Sequence, residues 1–283
     1  MADLTTVILT YNEEKNIANA INSVLPISKR IVVVDSYSTD KTVDIAKSLG
    51  AEILEHPFEN QAKQFIYAIN HLIINTQWIM RLDADEIISV EAGKEIEEIC
   101  LLNKDTDVNG IVVRFEVDFL GKKLRHGGIY PFRKMIVYKR DKGYMEDRAM
   151  DEHIVLSEGK SVELKHDSFH RDYKDLNVWI DKHNKYSSRE VEDYFTCADK
   201  SENDIKLNKS AKIKRYIKLK IYYKLPLGTR AHLYYIYRYY FKLGFLDGKE
   251  GKIFAFMQAY WYRFLVDAKI LEKNNNVNER KIT

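Results

Sequence analysis

Short apolar, β-branched runs at Thr6–Leu9, Ile31–Val34, Glu52–Glu55 and Trp78–Leu82 alternate with segments of helical spacing at Asn16–Val24, Thr42–Leu49 and Asn60–Ile74. This order constrains the fold more than any other feature of the chain. Strands joined by helical crossovers pair in parallel, with right-handed connections that lay the helices on the sheet faces. Ligands of such sheets bind beyond the carboxyl ends of the strands, and the polar residues of this region cluster there. Further along, Gly110–Val117 reads as another strand, and His153–Ser157 with Ser161–Lys165 as a hairpin across Glu158-Gly159. From Leu176 onward the spacing is helical, with a polar loop or linker at Asn203–Ser210.

A chain of 283 residues with 45% hydrophobic content can bury one large core, or a core with an appendage. Two cysteines, Cys100 and Cys197, without CxxC spacing point to a reducing compartment. The amino terminus has no signal-peptide pattern, and no run approaches the roughly 18 apolar residues of a membrane span. A cytoplasmic protein, peripheral on the inner face of the membrane, is the expectation. The net charge of +3 divides unevenly: residues 205–270 carry 15 basic and 3 acidic side chains, leaving +12 there against −9 elsewhere.

In Arg81-Leu-Asp-Ala-Asp-Glu86, Asp83 and Asp85 share one side if the strand end is extended. Two adjacent carboxylates repel each other unless a cation joins them, which suggests Mg2+ or Mn2+ bridging to a diphosphate. A solvated acidic turn is the plainer explanation for an isolated pair. Two other strand ends carry similar chemistry, however: Thr10-Tyr-Asn-Glu-Glu14, and Asp35-Ser-Tyr-Ser-Thr-Asp40. These side chains can accept hydrogen bonds from a base or ribose, and Tyr11 offers a stacking face. Helix capping by Asn12, Ser38 or Asp40 explains one residue per loop, not three successive polar strand ends.

TVILTYNEEKNI, VVVDSYSTDKT and RLDADE together resemble the opening motifs of family 2 glycosyltransferases with the GT-A fold, over about residues 4 to 90. The missing GxGxxG after the first strand disfavours a dinucleotide-binding domain. The resemblance implies an α/β GT-A domain, a mixed and mainly parallel Rossmann-like sheet with flanking helices, over residues 1–200, with a helical extension over 201–283. It implies that Thr10, Asn12, Glu13 and Asp35 line the nucleotide pocket together with Tyr11 and Ser36. Asp83 would contact ribose or metal and Asp85 would be the principal ligand of Mn2+ or Mg2+. Lys63 and Arg81 are candidates for the diphosphate side, with a solvated helix face and a surface ion pair as their alternatives.

Leu124-Arg-His-Gly-Gly-Ile-Tyr-Pro131 holds the chain's only Gly-Gly pair. Gly127 and Gly128 allow close backbone approach to a ligand, and the segment resembles the glycine loop near the donor sugar in GT-A enzymes. An inverting transferase needs a carboxylate to take the proton of the acceptor hydroxyl. MDEHI resembles the base motif of the bacterial lipopolysaccharide and capsule branch, with Glu152 preferred and Asp151 close behind. His166 matches the position of a further metal ligand in that family and is preferred over His170. Residues 205–224 carry 8 basic and no acidic side chains, and Tyr216–Phe241 contributes nine aromatics. That mixture suits an anionic membrane surface, or else a helical core with solvated lysines. No nucleic-acid-binding motif accompanies it.

The resulting expectation is metal-dependent, inverting transfer of a hexose or N-acetylhexosamine from a nucleotide sugar, UDP-sugar favoured, to a lipid-linked saccharide acceptor. The contrasting expectation is a non-catalytic nucleotide-binding membrane or scaffold protein on the same fold.

Overall fold

The computed structural model describes residues 1–147, 152–197, 216–217 and 220–279. They fall into two compact units, Met1–Lys123 with Pro131–Tyr173, and Leu124–Tyr130 with the described part of Lys174–Thr283. The boundary expected near residue 200 and the linker expected at Asn203–Ser210 lie outside the described residues.

The first unit runs β1 (Leu4–Thr10), α1 (Ile17–Val24), β2 (Arg30–Asp35), α2 (Thr42–Ser48), β3 (Glu52–Glu55), α3 (Gln61–His71), β4 (Trp78–Asp83), β5 (Glu86–Ile87) and α4 (Val90–Leu102). It continues with β6 (Val108–Phe119), β7 (Lys122–Leu124), β8 (Phe132–Lys139), β9 (Gly143–Met145), β10 (Ile154–Leu156) and β11 (Lys160–His170). The main sheet has the order β3-β2-β1-β4-β8-β6-β11-β5. The β1, β2, β3 and β4 group is parallel, whereas β8 runs antiparallel to both β4 and β6.

Every residue of β1 is buried, because helices cover both faces of a central parallel strand. Leu4 and Ile8 pack with Val33, Met80 and Leu82 against Ile17 and Ile21 of α1 and Ile96 of α4. Val7 and Leu9, alternating with them, pack with Val34 and Ile79 against Ala62, Phe65 and Ala68 of α3. The buried threonines of β1 are satisfied in pairs, Thr5 with Thr76 and Thr6 with Ser28, each at 2.7 Å between hydroxyl oxygens. Side-chain caps start the helices behind them: Asn60 accepts from the Lys63 amide at 2.8 Å, and Ser89 from Ala92 at 3.1 Å.

Register carries this packing to the functional edge. Thr10 lies opposite Asp35, and Leu9 opposite Asp83, so the last residues of β1, β2 and β4 end at one level. The expected hairpin between His153–Ser157 and Ser161–Lys165 does not form. Both segments contain strand, but β10 pairs with β9, while β11 pairs with β6 and, at its end, with β5. The Glu158-Gly159 turn docks on the start of β6 instead of closing a hairpin. Asn109 Nδ2 donates to the Glu158 carbonyl at 3.0 Å and Lys160 N to that of Asp107 at 2.8 Å.

In the second unit, α5 (Leu176–Cys197), α6 (Thr229–Ile236), α7 (Gly248–Phe254) and α8 (Tyr262–Glu279) are joined in part by π-helical turns at Tyr237–Phe241 and Ala255–Trp261. Val191 of α5 packs with Tyr262, Val266 and Ile270 of α8. Buried ion pairs tie α8 to two neighbours: Arg263 to Glu190 of α5 at 2.6 Å, and Arg230 Nε of α6 to Asp267 at 2.6 Å. Among the described residues no helix is long and apolar enough to cross a membrane.

Candidate active site

At the ends of β1 and β2, the polar residues organise one another first. Asp35 is fully buried; its carboxylate accepts the Thr10 hydroxyl at 2.9 Å, the Ser38 hydroxyl at 2.6 Å and the Ser38 amide at 2.7 Å. Asn12 adopts φ +53, a left-handed conformation that asparagine tolerates better than most residues. Its amide donates to Ser38 Oγ at 2.8 Å and its side-chain oxygen accepts the Thr39 amide at 2.8 Å. The Glu13 amide donates to Thr42 Oγ1 at 2.7 Å, and the Glu13 carboxylate accepts from Asn16 Nδ2 at 2.7 Å. Thus the two loops are laced into one platform. Ser36 is buried against Gln64 Nε2 of α3, whereas Tyr11 is half-exposed on the platform's outside.

The end of β4 concentrates charge. Arg81 is only 3% exposed. Its Nη2 donates to Gln61 and to Asp83 Oδ1, both at 3.1 Å, and reaches Glu152 Oε1 at 3.5 Å. Lys134, from β8, donates to Asp83 Oδ2 at 2.6 Å and to Glu86 Oε1 at 2.8 Å. Glu86 in turn accepts the Asp83 amide at 3.0 Å. Burial opposes ionisation of Asp83, and so does Asp85, but Arg81 and Lys134 outweigh both and bring its pKa down to about 2. For Glu86 burial wins, and its pKa is raised. The pKa of Lys134 is raised because Asp83 and Glu86 overcome its burial. Glu152 is raised by burial, with Arg81 acting in the opposite direction.

Several placements differ from expectation. The strand ends at Asp83, and Asp85 lies in the following turn rather than on an extended face. The positive charge inferred between the carboxylates is supplied at Asp83 by Arg81 and Lys134 of the chain itself. His166 does not join Asp83 and Asp85. Its side chain is 55% exposed and its Nδ1 lies 3.0 Å from Glu95 of α4. The cause is local: β11 loses register with β6 between Glu163 and Asp167, and Glu95 takes the amides of Lys165 and His166 there. Beyond the irregularity β11 pairs with β5, His170 opposite Glu86, which brings His170 Nε2 to 3.6 Å from Asp85 Oδ2. Lys63 is on the exposed side of α3, paired with Glu59 one turn away. Asp151 lies outside the described residues. Gly127 and Gly128 belong to the second unit, with φ of +68° and +71°.

Lys134, Glu86 and Gln61 are the members that motif reading passes over, whereas His170 is weighed there and placed below His166. Only Glu86 carried a local signal, as the third acid of the DADE run. Among the described residues no group of three or more His, Cys, Asp or Glu side chains is gathered as around a metal ion. Asp85 and His170 nevertheless form an oxygen and imidazole donor pair of a kind that Mn2+ accepts and, through the carboxylate, Mg2+.

Known proteins are similar to this chain in sequence and in fold. An uncharacterized glycosyltransferase of Rickettsia typhi is 29% identical over 289 residues, covering 98% of this chain and 90% of its own length. A second, from Rickettsia prowazekii, is 43% identical over 99 residues, about a third of either chain (35% and 33%). A solved mannosyltransferase from Pyrobaculum calidifontis, in complex with GDP-Man and Mn2+, superposes with a TM-score of 0.57 at 14% identity, over 95% of this chain and 87% of that one. That likeness bears on the fold, which is GT-A-like: a mixed sheet with flanking helices and a C-terminal helical region. The sequence profile described as glycosyl transferase family 2 matches residues 5–153, more than half of the chain and all three motif-bearing strand ends, so the chain belongs to that family and is a glycosyltransferase.

Proposed function

We propose that this glycosyltransferase moves a hexose or N-acetylhexosamine, with inversion, from a nucleotide diphosphate sugar to a lipid-linked saccharide in cell-surface polysaccharide assembly, as in the lipopolysaccharide and capsule branch. UDP is the favoured donor base. The observation that carries the reading is the sharing of Arg81 between Asp83, at 3.1 Å, and Glu152, at 3.5 Å, which sets the candidate base beside the acidic strand end. Thr10, Asn12, Glu13 and Asp35 form the rigid floor on which the nucleoside is bound, and Tyr11 is the exposed ring available to its base.

Glu152 accepts the proton of the acceptor hydroxyl as that oxygen bonds to the anomeric carbon from the face opposite the diphosphate. The bond from the anomeric carbon to the diphosphate oxygen breaks and the nucleoside diphosphate leaves. A raised pKa makes Glu152 a stronger base than an ordinary carboxylate, and Arg81 orients it while keeping Asp83 ionised. Asp85 and His170 would hold Mn2+ or Mg2+ beside Asp83, and such an ion would offset the charge of the diphosphate. A metal-assisted leaving group needs no protonated acid, which agrees with an ionised Asp83.

A membrane surface is the proposed meeting place with the acceptor, supported by the exposed apolar side chains of the second unit. The test is a panel of UDP-, GDP- and other nucleotide sugars, assayed with and without Mn2+ or Mg2+ for hydrolysis and for thermal stabilisation. At least one donor is expected to be hydrolysed only with metal, with the freed sugar's initial anomeric configuration inverted. Absence of binding and hydrolysis across the panel would sink the reading.

A further inference from the structure

The stretch Tyr237–Asp247 of the second unit has two faces of opposite character. On the inner side, Arg238 is buried and its Nε donates to the Gly127 carbonyl, while the Lys242 carbonyl accepts the Gly127 amide at 2.8 Å. Asp247 is buried as well; its carboxylate accepts the backbone amides of Arg125 at 3.1 Å and His126 at 2.8 Å, and lies 2.8 Å from His126 Nδ1. Both glycines are left-handed, and a Cβ on Gly127 would already touch Gly244 Cα at 3.6 Å. Loop Leu124–Tyr130 is therefore gripped through its backbone.

On the outer side, Tyr240, Phe241, Leu243, Phe245 and Leu246 are exposed, Phe241 by 76%. The exposed lysines Lys242, Lys249 and Lys252 lie among and after them. The backbone reaches this display through the π turn at Tyr237–Phe241 and through Leu243 at φ +58, a conformation that costs a leucine about 1–2 kcal/mol. The side chains that the turn carries outward are solvent-exposed. Aromatic and aliphatic groups set among ammonium groups match the headgroup layer of an anionic bilayer, where rings and methyls enter and lysines meet phosphate.

We propose that Tyr237–Asp247 is a membrane-contact turn whose seating on an anionic phospholipid surface fixes loop Leu124–Tyr130. The loop runs through Pro131 directly into β8, which carries Lys134, the cation on Asp83. The inference rests on the lipid-linked acceptor reading above. The two fail separately, because donor hydrolysis without vesicles tests that reading and vesicle binding tests this one.

The experiment uses the full chain with vesicles of phosphatidylcholine alone and of phosphatidylcholine mixed with phosphatidylglycerol. Sedimentation reads binding, and hydrogen–deuterium exchange reads the 124–130 backbone. The protein is expected to bind the mixed vesicles at least about tenfold more tightly than neutral ones, with slowed exchange over 124–130. Phe241→Asp/Leu246→Asp should lose at least about tenfold in vesicle affinity while hydrolysing donor as before in solution. Asp247→Asn should keep vesicle binding and lose the slowed exchange. Equal binding by the double aspartate variant would overturn the membrane contact, as would its conversion of a dimer to a monomer, which would make the face a self-association surface. Vesicle binding by the wild type without slowed exchange would overturn the coupling.

Discussion

Arg81 and Lys134 show why a carboxylate cluster reads ambiguously from residue types alone. Asp83 and Asp85 are two positions apart in sequence, yet they have different partners: Asp83 is held by two cations of the chain, and Asp85 faces His170. Asp83 therefore contributes to stability, and the sign follows from its lowered pKa. The contribution is present above the unfolded value near 4 and disappears as pH falls through about 2, amounting to about 2 kcal/mol. Lys134→Met leaves Asp83 and Glu86 without their shared ammonium and should cost about 3 kcal/mol, read as a lower Tm and an acid-unfolding midpoint at higher pH. An unchanged acid limb would show that Lys134 does not hold Asp83. The histidines separate in the same way: His170→Ala should raise the Mn2+ concentration needed for half-maximal donor hydrolysis by about tenfold, and His166→Ala should leave it unchanged. The reverse result would return the metal role to His166.

At the scale of elements, the strand ends were legible and their partners were not. β1, β2 and β4 could be read because a central parallel strand is buried on both faces and leaves an uninterrupted apolar run. Thr10, Asp35 and Asp83 follow from those runs by position. β8 gives no such signal: Phe132, Arg133 and Lys134 open it exposed or half-buried, and only its second half is apolar and buried. It nevertheless sits between β4 and β6 and delivers Lys134. β11 was anticipated in part, but pairing between distant strands is not written in local periodicity, so a turn with hairpin chemistry was read as a hairpin. His170 was overshadowed for the same reason. Its place beside Asp85 depends on the β11–β5 register and on the irregularity at Glu163–Asp167, neither of which leaves a trace in residue spacing.

Over the whole molecule, the two oppositely charged portions of the chain carry different structures. The acidic portion contains the platform and the Arg81-centred cluster; the basic portion contains Tyr262, Val266 and Ile270, which pack on α5, and the turn that presents Phe241. Family membership makes the chain a glycosyltransferase, and the central claim is that Glu152 serves as its base. Its raised pKa fixes a second sign. Burial favours the neutral acid in the folded state, so that contribution is present at low pH and is lost as pH rises through the folded value. Glu152→Gln should then be at least as stable as the wild type at neutral pH. The most direct measurement compares transfer by Glu152→Gln and wild type, with the preferred donor and Mn2+, alongside donor binding by calorimetry. The account predicts donor affinity within about threefold of wild type and turnover lower by about a hundredfold or more. Wild-type turnover in Glu152→Gln would contradict it.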